Sequence, residues 1–106
     1  MRSTTIRSLA LALPSARIGN DELIERFGEK SMRSIARMSG IEERRVAPLD
    51  QCASDLGFDA AQRLISHLHL APDEIDLLIF CSQTPDYRMP ATASVLQGRL
   101  GMGERC

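Results

Sequence analysis

Aromatic side chains are scarce in this sequence of 106 residues, which has no tryptophan, one tyrosine and three phenylalanines. Cations are not in excess either, since 13 lysines and arginines face 14 aspartates and glutamates and leave a formal net charge of −1. A nucleic-acid-binding surface needs an excess of cations, and single-strand binders add aromatic side chains on which bases stack. The composition therefore argues against a nucleic-acid partner.

The sequence also lacks a long apolar run. The longest runs cover residues 9–13 and 75–81, far short of the roughly 20 residues that a membrane-spanning helix needs. The three cysteines, Cys52, Cys81 and Cys106, are odd in number and form no Cys-x-x-Cys pair. These features predict a cytosolic protein with reduced thiols and no membrane partner.

No set of catalytic residues is recognisable within the chain. His67 and His69 are two positions apart, which places them on different faces of a helix and argues against a zinc site. A glycine-rich phosphate loop, a Gly-x-Ser-x-Gly elbow and a His-Glu-x-x-His pair are all missing. Cys52 precedes a predicted helix and Cys81 ends an apolar run, so a small reactive-thiol protein stays open, although Cys81 is expected to be buried.

Periodicity and turn residues predict four elements in the first half: a strand over 4–12, a helix over 20–28, a helix over 31–38, and a loop or short strand over 41–50. Asn20 is the expected N-cap of the first helix because its side chain can accept a hydrogen bond from a free backbone N–H. In the second helix, Ile35 and Met38 are expected to point inward, and Arg33 and Arg37 outward.

The second half predicts a long helix over 54–69, capped by Ser54, whose apolar face is formed by Leu56, Ala60, Ala61, Leu64, Ile65 and Leu68. Residues 75–84 follow as an almost continuous apolar run, which is typical of a strand covered by helices on both faces. A last helix is expected from Pro90 to Gly101. This order of elements predicts an α/β layered fold with parallel pairing, and ligand sites tend to lie at loops such as 82–90.

Four segments occur in an order that is typical of one family: LALPSARIGNDEL, SGIEERRVA, ASDLGFDAAQRLI and LAPDEIDLLIFCSQTPDYRMPATASVLQGRLG. Together with Cys106 they resemble the N-terminal part of 3-oxoacyl-(acyl-carrier-protein) synthase III, a family of the thiolase-like superfamily. Each motif alone is weak, but their joint order over the whole chain is specific. The resemblance implies an α/β thiolase-like layered helix/sheet fold, of which residues 1–106 form an incomplete N-terminal segment of the first half.

The resemblance also implies an acyltransferase. A cysteine attacks an acyl-CoA primer to give an acyl-enzyme, and the carbanion left by decarboxylation of a malonyl thioester attacks that acyl group. The implied partners are acyl-CoA, acyl carrier protein and a second copy in a homodimer, and the coenzyme A thioester is a substrate rather than a cofactor, with no metal or redox cofactor required. Because the family's nucleophile, histidine and asparagine lie beyond Cys106, no catalytic residue is expected within this chain.

Two site residues follow from the resemblance. Met89 matches the residue that relatives extend across the dimer interface into the partner's acyl pocket. Ser34 and Met38 match a tryptophan and an arginine that contact coenzyme A, so that contact is lost, and Arg37 or Arg33 is a candidate to bind a coenzyme A phosphate instead. For Met89 the competing interpretation is ordinary interface packing, and for Arg37 or Arg33 it is a solvent-facing cation. The alternative function for the chain is a non-catalytic α/β dimerisation module that uses the helix over 90–100.

Overall fold

The computed structural model describes residues 3–106, which divide into two compact units. The first unit comprises the described residues up to Ala12 together with Gln51–Cys106, and the second comprises Leu13–Asp50. The elements in chain order are strand β1 (Ala16–Gly19), helices α1 (Asn20–Phe27) and α2 (Glu29–Ser39), strand β2 (Glu43–Val46), helix α3 (Ala53–Leu68), a 3₁₀ turn (Pro72–Glu74) and helix α4 (Thr92–Leu100). No helix within residues 3–106 is long and apolar enough to cross a bilayer.

In the second unit, β1 and β2 form an antiparallel pair in which Ala16 lies opposite Val46. The expected N-cap role of Asn20 is wrong, because α1 begins at Asn20 itself, directly after Gly19. The Asn20 side chain instead donates to the Ile41 carbonyl over 2.9 Å and accepts from Arg44 over 3.0 Å. These two bonds fix the start of α1 against the strand β2, which outweighs a local cap.

Helices α1 and α2 meet at Gly28, whose φ of +86° is open to glycine and strained for other residues. The α2 residue that becomes buried is Met32, whereas Ile35 is 42% and Met38 is 78% exposed, so the inward orientation expected for these two side chains is wrong. The covered face of α2 runs through Met32 and Ala36, which are four positions apart and the two residues of this helix that are not exposed. Arg33 and Arg37 point outward as predicted.

In the first unit, α3 packs against α4 around Leu96, which is 2% exposed. The predicted apolar face of α3 is confirmed, since all six of its residues are half-buried and the residues at 59, 62, 63 and 66 are exposed. The cap expected at Ser54 is wrong. Cys52 caps α3 in a reciprocal arrangement with Asp55, and Ser54 lies inside the first turn and is buried.

The two predicted strands at residues 4–12 and 75–84 are not formed as hydrogen-bonded strands. Within the described chain, residues 4–12 and 76–84 make no backbone–backbone hydrogen bonds, and a strand exists only through such pairing. Residues 77–81 nevertheless alternate like an extended chain, because Leu78 and Phe80 are half-buried while Leu77 and Ile79 are exposed.

We call the exposed side chains of Leu77, Ile79 and Cys81 the outer face of this segment. Leu77 is 71% and Ile79 is 79% exposed. The inner face lies on the helices, since Leu78 borders Ala93 and Gln97 of α4 and Phe80 lies against Gly57 of α3. The expected burial of Cys81 is wrong for the same geometric reason, because its side chain is on the face that no other part of the described chain covers.

Paired glycine substitutions test the packing of Phe80 on α3. A Cβ added at Gly57 would come within 2.9 Å of the Phe80 ring, whereas one added at Gly98 of α4 has nothing within 4 Å. Gly98→Ala is expected to raise the free energy of unfolding by about 1 kcal/mol, from helix propensity alone. Gly57→Ala should lower it by about 1 kcal/mol, because overpacking exceeds the same gain. Urea unfolding of both variants measures the difference, and equal stabilisation would show that Phe80 does not pack there.

Candidate functional site

The loop over residues 82–91 connects the end of the extended segment to α4 and bounds a cavity of about 260 Å³. Phe80, Tyr87, Arg88 and Thr92 are among the residues that line it. Thr92 is 6% exposed, and its hydroxyl has no hydrogen-bond partner within the described residues. The cavity therefore combines an aromatic floor with one cation and one buried hydroxyl.

Met89 is the most prominent apolar side chain of this loop, being 86% exposed. The following residue, Pro90, was expected to open the last helix, but α4 begins only at Thr92 and Ala91 is its N-cap. Residues 89 and 90 thus belong to the loop rather than to the helix. This location leaves the Met89 thioether free to contact another molecule.

Asp86 connects the loop to α3. Its Oδ1 accepts a hydrogen bond from the backbone N–H of Ser54 over 3.3 Å, although the two residues are 32 positions apart in the sequence. The first backbone N–H groups of a helix have no partner within the helix, and the helix dipole favours a carboxylate there. Asp86 therefore supplies from the loop what an N-terminal cap would supply locally.

Arg99 of α4 joins the same cluster from the other side. Its guanidinium donates to Ser54 Oγ over 3.1 Å, pairs with Asp55 Oδ1 over 2.9 Å, and lies 4.6 Å from the centre of the Phe58 ring. Ser54 thus donates its N–H to the loop and accepts from α4 at its hydroxyl. The network links α3, α4 and the loop that carries Met89.

The network also acts on the pKa of the Asp55 carboxyl. The Cys52 N–H donates to Asp55 Oδ2 over 2.8 Å, and this bond, followed by the hydrogen bond and charge of Arg99, lowers the pKa of the Asp55 carboxyl. Both Asp55 and Arg99 remain more than one third exposed, so the ion pair contributes under about 1 kcal/mol.

The pH dependence of stability follows from the sign of that shift. A carboxyl whose pKa is lower in the folded state stabilises the fold above its unfolded pKa, about 3.9, and loses this contribution as the pH falls through the folded value. Asp55→Asn should therefore destabilise the first unit at pH 7 and progressively less below about pH 4. Thermal unfolding between pH 2 and 7 measures this, with Asp59→Asn, an exposed carboxyl on α3, as the control. A difference between wild type and Asp55→Asn that does not change with pH would contradict it.

Arg37, the other site residue predicted from the sequence, lies on α2 in the second unit and is exposed. Within the described residues Arg37 has no ion-pair partner, whereas Arg33 is paired with Glu29 one turn earlier. Met89 and Arg37 thus belong to different units. The binding roles of both side chains stay predictions.

All three cysteines are free thiols; Cys52 and Cys81 are exposed and Cys106 is half-buried. The Cys106 thiol donates weakly to the Met102 sulfur over 3.6 Å. Sequence reasoning missed Asp86, Ser54 as an acceptor, and Arg99. The only local signal was the Pro-Asp turn in the loop, because the partners of each residue lie 32 to 45 positions away.

Comparison with known proteins relates most of the chain to one group of synthases, although no family model matches it. A β-ketoacyl-[acyl-carrier-protein] synthase III of Helicobacter pylori strain G27 is 39% identical over 99 residues, and synthase III 2 of Halalkalibacterium halodurans is 36% identical over 97. Each match covers 92% of this chain and 29–30% of the relative. The chain thus spans less than one third of the length of these curated relatives.

Solved structures give the same relationship. A 3-oxoacyl-(acyl-carrier protein) synthase from Burkholderia xenovorans superposes with a TM-score of 0.81 and 40% identity, covering 92% of this chain and 29% of that one. A 3-oxoacyl-(acyl-carrier-protein) synthase III gives 0.80 at 35% identity, with 95% and 30% covered, and a variant of Xanthomonas campestris OleA gives 0.77 at 30%, with 92% and 31% covered. The mixed helix/sheet, thiolase-like fold class predicted from the sequence is confirmed. By sequence and by structure the chain is a relative of the 3-oxoacyl-(acyl-carrier-protein) synthase III family, and its partial coverage fits the N-terminal portion of a member.

Proposed function

We propose that this chain forms the N-terminal segment of an acyltransferase of the ketoacyl synthase III type. In this reaction a cysteine thiolate displaces coenzyme A from an acyl-CoA primer, and a malonyl thioester loses carbon dioxide to give the carbanion that attacks the acyl group. The 3-oxoacyl product leaves on the thioester of the extender, and the cysteine is released. Acyl-CoA is the substrate, acyl carrier protein is the partner, and no metal or redox cofactor takes part.

The single observation that carries the proposal is the joint match in sequence and fold over 92% of the chain to proteins named for this synthase. Only 29–30% of each relative is matched. Within the described residues, the hydrogen bonds donated by hydroxyl and thiol groups go to Ile35, Thr84 and Met102 rather than to a histidine or carboxylate base. The reacting cysteine, histidine and asparagine are therefore assigned to polypeptide outside these 106 residues. The chain by itself should not carry out the condensation.

Met89 is assigned to the acyl pocket of a second copy in a homodimer. Its side chain is 86% exposed on a loop, and burial of a methionine side chain stabilises an association by roughly 1.5–3 kcal/mol. Methionine is long and flexible, so it can limit the depth of an apolar pocket while still adapting to a medium or branched acyl group. Met89 is thereby the specificity-determining residue of the proposed function.

Arg37 is assigned to the phosphates of coenzyme A. The support is its exposed guanidinium, which has no ion-pair partner within residues 3–106 and is therefore available to bind an anion. The neighbouring Ser34 and Met38 offer no aromatic or cationic contact to the adenine. This part of the proposal predicts weaker acyl-CoA binding in Arg37→Ala with the acyl-chain preference unchanged.

The proposal is tested first in the coding sequence beyond codon 106. A cysteine in a Phe-Asp-x-x-x-x-Cys context, followed by a histidine and an asparagine, supports it, and a stop codon directly after codon 106 contradicts it. In the polypeptide that carries those residues, Met89→Phe should shift the preference towards shorter acyl-CoA primers. Leu49→Phe, at a fully exposed position outside the proposed pocket, is the matched control and should leave the preference unchanged.

A non-catalytic dimerisation module is the second candidate, and the exposed outer face of Leu77 and Ile79 favours it. One side of the last helix, which the sequence suggested for this role, is covered because Thr92 and Leu96 of α4 are buried, whereas residues 94 and 98 of the same helix are exposed. A soluble product of 106 residues that binds a partner through the outer face and has no acyltransferase activity would select this candidate.

A reactive-thiol protein is the third candidate, since Cys52 and Cys81 are both exposed. Thiol labelling at pH 7 discriminates it from the other two. One cysteine that reacts much faster than the rest would support it, and uniformly slow labelling would remove it.

A further inference from the structure

The loop that carries Met89 has few contacts that fix its backbone. Residues 82–90 make no backbone–backbone hydrogen bond within the described chain. Two side-chain hydrogen bonds of the loop are local and join Ser82 to Thr84: Ser82 Oγ accepts the Thr84 N–H over 3.1 Å and lies 3.3 Å from Thr84 Oγ1. Asp86 is the one residue of this loop whose side chain bonds to a distant element of residues 3–106.

The donor, the Ser54 N–H, is well placed to hold a carboxylate. The Ser54 N–H belongs to the first turn of α3, a helix of 16 residues, where backbone donors lack intrahelical partners and the dipole is positive. Ser54 itself is 2% exposed and is fixed by Arg99, which donates to its hydroxyl over 3.1 Å. The bond to Asp86 is therefore anchored on a rigid residue, and the loop is the element that it orders.

We infer that Asp86 is a positioning residue, which ties the loop to the first turn of α3 and so sets the direction in which Met89 projects. Met89 is three residues further along the chain, and the next fixed point is the start of α4 at Thr92. Within residues 3–106, the Asp86 bond is the one hydrogen bond that ties the segment between Phe80 and Thr92 to a distant element. The consequence for acyl-chain selection rests on the proposed function, whereas the tether itself does not.

The experiment is ¹⁵N relaxation of the complete 106-residue chain. In the wild type, the backbone amides of residues 87–89 should have order parameters near the rigid value of about 0.85, and in Asp86→Ala they should fall below about 0.6. The Ser54 amide should exchange faster with solvent in the same variant. Asp59→Ala, which removes an exposed carboxyl of α3, is the control and should change neither quantity.

Asp86→Asn makes the test specific for the hydrogen bond, because its amide oxygen still accepts from the Ser54 N–H. Its loop order should return to near the wild-type value, and values equal to those of Asp86→Ala would overturn the inference. Unchanged loop order in Asp86→Ala would also overturn it. Loss of order throughout α3 and α4 in that variant would do the same, because Asp86 would then stabilise the whole unit rather than position the loop.

The relaxation measurement uses no substrate, so it separates this inference from the proposed function. In the polypeptide that carries the downstream residues, Asp86→Ala should also lose the roughly tenfold discrimination between primers that differ by one methylene group in an apolar pocket. If the loop is disordered in Asp86→Ala but the wild-type protein has no acyltransferase activity, the inference about Asp86 is supported and the proposed function is contradicted. If the loop stays ordered in Asp86→Ala and the wild-type protein is an active acyltransferase, the proposed function is supported and the inference about Asp86 is contradicted.

Discussion

Leu96→Ala is expected to lower the free energy of unfolding of the first unit by about 3 kcal/mol, the value typical of a large cavity made at a buried leucine. Leu96 is 2% exposed and is the largest fully buried side chain among the described residues. It lies at the contact of α4 with α3, and its Cδ1 is 3.5 Å from the position that a Cβ at Gly57 would take. Since domains are stable by only about 5–15 kcal/mol, this is a large part of the total.

Urea unfolding followed by far-ultraviolet circular dichroism measures the effect. Leu49→Ala is the matched control, because it removes the same atoms from a side chain that is fully exposed. Its free energy of unfolding should stay within about 0.5 kcal/mol of the wild type. Equal midpoints for the two variants would show that α3 and α4 do not form the core of the first unit.

We expect the chain to self-associate through its outer face, and we expect Leu77→Lys/Ile79→Lys to abolish this association. The outer face exposes Leu77 and Ile79 on an extended segment without backbone partners, which is the type of surface on which chains pair or aggregate. Burial of the two side chains contributes at least about 3 kcal/mol, which corresponds to more than 100-fold in Kd. Sedimentation equilibrium over a range of concentrations should therefore show association in the wild type and a monomer in Leu77→Lys/Ile79→Lys.

Two added charges also increase repulsion between chains, so the control places them elsewhere. Gln62 and Ser66 lie on the exposed polar face of α3, and the double variant Gln62→Lys/Ser66→Lys adds the same charge there. This variant should associate like the wild type. A monomeric control variant would show that net charge, rather than the outer face, governs the association.

The features that sequence predicts well are those determined by neighbouring residues. The apolar face of α3 follows from a helical period over 16 residues, and it is half-buried as predicted. Helix α1 also lies within the predicted range of 20–28, although Asn20 is its first residue rather than its N-cap. Met89 lies in a loop, as expected, whereas the binding role of that loop stays a prediction.

The features that sequence missed depend on partners far along the chain. Ser54 is a good N-cap by type, but Arg99 and Asp86 bind it from 45 and 32 positions away and hold it inside the helix. Likewise, the Asn20 side chain is hydrogen-bonded to the Ile41 carbonyl and the Arg44 guanidinium rather than to a backbone N–H of its own helix. A local propensity of about 1 kcal/mol is easily outweighed by two tertiary hydrogen bonds.

The predicted strands fail for a related reason. The apolar run at 75–81 has the composition of a buried strand, but strand formation requires a paired neighbour, and the described residues provide none. What the segment retains is the alternation of covered and exposed side chains. The segment is therefore a half-covered extended chain whose inner face lies toward α3 and α4.

Hydrogen–deuterium exchange of the monomeric chain at low concentration tests this claim most directly. The amides of residues 76–81 should exchange within the time of unprotected backbone, because none of them donates a backbone hydrogen bond, while the amides in the centre of α3 should be protected. Protection of residues 76–81 equal to that of α3 in a monomer would show that the segment is already paired, and would contradict the account.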